Sequence, residues 1–158
     1  MSKLRIRRQV RLANRQLDLG ENPSLNSIQA WIEARRGRPI TIEELPTMKG
    51  DDLCGLCMTY EDYISVVHAT PKSSWHLQQI ILHEFAHLIL GHYRTATSLD
   101  LTKLPGFPDT PLQVLGRVSY EDDAEAAAEM LADLLSARIN HHPPAAPNDP
   151  AGFHKVFG

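Results

Sequence analysis

His83-Glu84-Phe85-Ala86-His87 sits inside the apolar run that extends from Trp75 to Leu90. Around this motif, Leu77, Ile80, Ile81, Leu82, Phe85, Ala86, Leu88 and Ile89 fall on most sides of a helix. A helix apolar nearly all round belongs in the middle of a domain, so the spacing predicts a buried helix over residues 75–90. Ser73 or Ser74 is placed to cap its start and Gly91 to end it. Two histidines four residues apart are separated by about 40° around a helix and by one turn along it. Both imidazoles of His83 and His87 therefore reach one Zn²⁺. Glu84, beside them, is placed to take a proton from water at that metal.

Upstream, residues 2–17 read as a weakly amphipathic helix, broken by Asp18-Leu19-Gly20-Glu21-Asn22-Pro23. A second helix, capped by Ser24 or Asn26, carries Ile28, Trp31 and Ile32 on one face and ends at Gly37. Pro39 to Ile42 reads as a short strand. Leu53–Tyr60 and Tyr63–His68 read as two more, joined as a hairpin at Glu61-Asp62. Downstream, residues 93–119 hold Pro105, Gly106, Pro108 and Pro111 and read as an irregular connection, with a short helix near 112–115. A final helix is expected from Tyr120 to Ile139. No internal repeat is present.

A catalytic zinc needs a third protein ligand and an open position. His92 is five residues beyond His87, about 140° around the helix, and points elsewhere unless the helix ends first. Residues 121–133 hold Glu121, Asp122, Asp123, Glu125, Glu129 and Asp133 with no basic residue among them. Acids spaced i,i+4 repel by a few tenths of a kcal/mol per pair, a cost that a bound cation offsets. Ala124, Ala128, Leu131 and Leu135 form an apolar stripe that Glu121 heads, whereas Asp123 lies about 160° away and should face water. A carboxylate aimed at a core is costly unless paired or on a metal, so Glu121 is the expected third ligand. Glu125, one turn on, suits a hydrogen bond from a ligand histidine.

The order of elements, with the segment Glu121-Asp122-Asp123-Ala124-Glu125-Ala126-Ala127-Ala128 after the HExxH helix, resembles the ImmA/IrrE family of metallopeptidase-like proteins. The resemblance runs from about Ser27 to Ile139. Glu125 stands where that family usually has Asn, and Ala127 where it has Phe. The resemblance implies His83, His87 and Glu121 as zinc ligands, one Zn²⁺ per chain, and Glu84 as general base. It also implies a zincin-like, minigluzincin-like α+β fold: a small three-stranded antiparallel sheet packed against the buried HExxH helix and a C-terminal acidic helix. Family members typically cleave or inactivate a helix-turn-helix repressor, and others accompany toxin–antitoxin or phage modules. The implied activity is a zinc metalloendopeptidase of restricted substrate range acting on such a regulator. The alternative is a catalytically weak zinc-containing binding module that sequesters its partner.

The bulk properties agree with one domain. The 158 residues are 42% hydrophobic and 22% charged, enough to bury a core. The net charge of −3 is unevenly placed, because residues 1–38 carry nine basic against three acidic side chains and the remainder is strongly acidic. That basic stretch reads first as a solvated helix face; no helix-turn-helix or zinc-finger spacing supports direct nucleic-acid binding. No run is long enough to span a membrane, no apolar leader follows Met1, and the two cysteines make no disulfide framework, which together suit the cytoplasm. Cys54-Gly55-Leu56-Cys57 reads as a strand whose cysteines pack as small hydrophobes. His76, seven residues before His83, shares its helical face and could hold substrate. Tyr93, Arg117 and Tyr120 fall near the site, where one could serve an oxyanion. The expected organisation is a basic helix or arm over 1–22, a metallopeptidase-like domain over 23–140, and a Pro-rich flexible tail over 141–158 in which His141-His142 reads as tail.

Overall fold

Each of the first three helices begins at a serine whose hydroxyl accepts one of the backbone N–H groups that a helix start leaves over. In a computed structural model that describes residues 2–46, 55–92, 94–95, 113–116 and 122–141, Ser2 opens α1 (Lys3–Gln16) and Ser24 opens α2 (Leu25–Arg36). Ser73 opens α3 (Ser74–Leu90), accepting from His76 N–H at 3.0 Å. Ser24 and Ser27 form a reciprocal capping box, with Ser27 Oγ accepting from Ser24 N–H at 2.8 Å. Gly37 and Gly91 close α2 and α3 in the left-handed conformation (φ 67° and 75°), which a residue without Cβ adopts at little cost. α4 covers Asp122–Asn140.

The strands are β1 (Ile40–Glu44), β2 (Gly55–Thr59), β3 (Ile64–His68), β4 (Arg94–Thr95) and β5 (Gln113–Gly116), in the order β1-β3-β2-β5-β4. β2 and β3 form the expected hairpin, closed by Tyr60 N–H to Tyr63 O at 2.8 Å. Two expectations are corrected. The sheet is mixed, because β1 runs parallel to β3 while every other pairing is antiparallel. β1 bypasses its sequence neighbour β2, whose two sides are taken by β3 and β5, and a strand beside a non-sequential neighbour need not reverse direction. Among the described residues the sheet also has five strands, because residues 113–115 of the segment expected as a short helix belong to β5, pairing with β2 from Leu56↔Gly116 to Thr59↔Gln113.

α3 lies at the centre, as its apolar circumference demands. Ile80, Ile81, Leu82, Phe85, Ala86 and Leu88 are buried, and all of these but Ile80 share one core with Cys57, Ile64 and Val66 of the sheet and Ile28 and Ile32 of α2. From α4 come Ala127, Ala128, Leu131, Ala132 and Leu135: three of the four residues of the predicted stripe, with Ala127 and Ala132 added, while Ala124 is only partly buried. α1 contributes Ile6 and Val10 to the same core. It is also tied to α4 through Arg138, whose Nη1 donates to Asn14 O and Oδ1 and whose Nη2 donates to Leu17 O. The basic residues of α1 lie on its outer face: Arg5, Arg7, Arg8 and Arg11 are exposed. Among the described residues no helix is long and apolar enough to cross a membrane.

Candidate metal centre

α3 and α4 run antiparallel: His83 and His87 meet Glu125 near the start of α4, and Gln79, a turn earlier in α3, donates to Ser136 Oγ further along α4 at 3.1 Å. Small side chains at Ala127, Ala128 and Ala132 are buried and allow the close approach. The helical spacing of the motif then does what it predicts. His83 Nε2 and His87 Nε2 come within 3.1 Å of each other, with the rings at 81°. The Glu125 carboxylate closes the triangle, at 3.1 Å from His83 Nε2 and 3.3 Å from His87 Nε2.

These separations match a metal. Ligand atoms about 2.0–2.1 Å from a tetrahedral Zn²⁺ lie about 3.3 Å from one another, so two imidazole nitrogens and one carboxylate make one face of the coordination polyhedron. Two nitrogens and one oxygen would leave the fourth position of a tetrahedral ion to another ligand. Among the described residues, His83, His87 and Glu125 are the group able to hold a metal ion.

The electrostatics leave these groups ready for a cation. Burial pushes the Glu125 carboxyl up, but hydrogen bonding to His83 and His87 outweighs it and brings the pKa down to about 2. Burial holds His87 below the ordinary histidine value, against the opposing pull of Glu125. Glu125 is therefore ionised while His87 is neutral, the protonation state that metal ligation requires.

Glu84 points to the sheet side of α3 and is 1% exposed. Its Oε1 lies 2.9 Å from where a Cβ would stand on Gly55, the first residue of β2. Only a glycine leaves this carboxylate its place, which the sequence reading of Cys54–Cys57 did not bring out. A cleft of about 240 Å³ opens beside the centre, lined by His83, Glu84, Gly55, His76, Gln79 and Glu129, with Ala132 and Asp133. His76 thus reaches the same cleft as the motif. Its Nδ1 accepts from the Lys72 backbone N–H at 3.0 Å, which leaves the ring hydrogen on Nε2.

His92, expected to point elsewhere unless the helix ends first, is brought back because α3 does end, at Leu90. Gly91 turns the chain, His92 N–H donates to His87 O at 3.0 Å, and the two rings meet with Nδ1 to Nδ1 at 3.1 Å. Burial, then the neighbouring His87, lowers the His92 pKa to about 4.

Of the other residues singled out in the sequence, Glu121, Tyr93, Arg117, Tyr120, Cys54 and His142 lie outside the described residues. Glu125, expected to support a ligand, is the described carboxylate that meets both histidines. Asp123 is half-buried rather than facing water. Cys57 is fully buried, and burial, then the nearby Glu84 charge, pushes its thiol well up, the setting of a packing residue rather than a reactive one. Comparison with protein-family models, with curated proteins and with solved structures gives no match.

Proposed function

We propose that this chain is a zinc metalloendopeptidase of the HExxH-plus-glutamate kind, with a zincin-like arrangement of sheet, active-site helix and glutamate helix. The observation that carries the reading is the convergence of His83 Nε2, His87 Nε2 and the Glu125 carboxylate within 3.3 Å, with Glu84 on the same helix. Bound there, zinc supplies Lewis acidity to a substrate carbonyl and lowers the pKa of water. The chain's own residues do the rest. Glu125 and the two imidazoles hold the ion. Glu84, confined by Gly55, takes a proton from the attacking water and passes it to the leaving amine.

An extended segment of a protein substrate is presented beside the centre. β4, the last strand in the sheet order among the described residues, begins two residues after His92, and an edge strand offers free backbone groups to an added strand. In the cleft His76 offers an N–H donor, and Glu129 and Asp133 offer acceptors. The resemblance to ImmA/IrrE proteins makes a helix-turn-helix repressor, a regulator of stress response or of a phage or toxin–antitoxin module, the first substrate to try in a cytoplasmic setting.

The 1% exposure of Glu84 favours one second reading. A base so enclosed also suits a zinc-containing module that binds its regulator without cutting it. Glu84→Gln separates the two. The peptidase loses regulator cleavage by about 100-fold or more while keeping its zinc. A binding module keeps both its zinc and its effect on the regulator.

A further inference from the structure

We infer that His92 is the positioning residue for the ligand His87, holding its ring hydrogen on Nδ1 so that Nε2 is free for the metal. This rests on the metal centre proposed above.

The two Nδ1 atoms, 3.1 Å apart, cannot both carry hydrogen and cannot both lack it, because one must donate and the other accept. With the hydrogen on His92, His87 Nδ1 accepts and its remaining hydrogen sits on Nε2, aimed at His83 Nε2 and Glu125. That form blocks ligation. With the hydrogen on His87 Nδ1, the Nε2 lone pair faces His83 and Glu125, and His92 Nδ1 accepts. Each ring keeps one hydrogen in either form, so the exchange changes no net charge. A cation at the three donors selects the second form, and His92 is the acceptor it requires. Ligand histidines generally depend on such an outer partner for tautomer and orientation.

The placement of His92 is a product of the helix end rather than of the helix. On a continued helix it would stand about 140° from His87. The left-handed Gly91 and the bond from His92 N–H to His87 O fold it back over the ring. No carboxylate is needed for the task, because a neutral imidazole keeps one ring nitrogen as an acceptor.

The test compares His92→Phe, which keeps a ring but has no acceptor, with His92→Asn, whose Oδ1 can take the place of Nδ1. Zinc affinity is read by competition with a chromophoric chelator at pH 7.5. His92→Phe should weaken zinc binding by about 10–100-fold, and His92→Asn should restore it to within about threefold. In zinc-loaded wild type, nitrogen-15 spectra should show His87 protonated at Nδ1 and metallated at Nε2, a readout that survives even if His92→Phe does not fold. Unchanged affinity in His92→Phe, equal losses in both variants, or a His87 metallated at Nδ1 would overturn the inference while leaving the metal centre standing. A wild type that takes up no zinc would overturn the metal centre itself, and this inference with it.

Discussion

At the scale of single residues, the site depends on two atoms' worth of room. Glu84 occupies space that any Cβ on residue 55 would invade, at 2.9 Å from Oε1 and 3.1 Å from Cγ. Gly55→Ala should therefore displace the carboxylate and spare the ligands, which lie on α3 and α4. On the proposed peptidase reading, the expected outcome is zinc binding within about twofold of wild type with regulator cleavage down by about 10-fold or more, since small misplacements of a proton-transfer group are costly. Cleavage at the wild-type rate would show that Glu84 is not held as described. The convergence of His83 and His87 was legible in the sequence because i,i+4 spacing on a helix is itself a geometry. The role of Gly55 was not, because its neighbour is 29 positions away in the chain and on another element. The third donor was read as Glu121, with Glu125 supporting a ligand histidine; the two differ by only about 40° around a helix, and among the described residues it is Glu125 that meets both histidines.

At the scale of elements, helix ends were the most readable feature. Gly37 and Gly91 announce their caps by residue type, and Ser24 and Ser73 are each one of the two candidates that residue type offered, because a cap is satisfied by the residue that makes it. Strand direction was not readable. Nothing in Ile40–Glu44 records that its partner is β3 rather than β2, and nothing in Gln113–Gly116 competes with the prolines around it until β2 supplies hydrogen bonds. The cap at Gly91 carries a prediction, since it both ends α3 and delivers His92. A Cβ there meets no atom within 4 Å, but φ is +75°, so Gly91→Ala should cost about 1–2 kcal/mol in backbone strain alone. Thermal melting of the metal-free protein should fall by about 3–6 °C, and zinc affinity should fall with it as His92 shifts. An unchanged melting temperature would mean that the chain turns there by another route.

At the scale of the whole molecule, the fold keeps neutral histidines inside it, and pH dependence follows. His87 and His92 both sit below the ordinary histidine value of 6.5, His92 at about 4. Below about pH 6.5 the unfolded chain takes up protons on these rings that the folded, metal-free chain refuses, so stability is greatest above that pH and falls as pH drops towards 4. Glu125, at about 2 against an ordinary 4.5, adds a loss of the same sign only below about pH 4.5. In the presence of chelator, the melting temperature at pH 5 should lie about 5 °C below that at pH 7; equal values would contradict the burial of neutral rings. The α+β class, the central α3 and the pairing of an acidic helix with the motif were all legible in the sequence, because each follows from where apolar residues must go. The central claim is that α3 and α4 together build one zinc site from His83, His87 and Glu125. The most direct measurement is zinc stoichiometry and affinity at pH 7.5 for wild type, Glu125→Ala and Glu121→Ala. The account predicts one zinc per chain, a loss beyond about 100-fold in Glu125→Ala, more than a merely supporting residue would give, and a smaller effect in Glu121→Ala. No zinc in wild type, or a site that survives loss of Glu125 and fails on loss of Glu121, would contradict it.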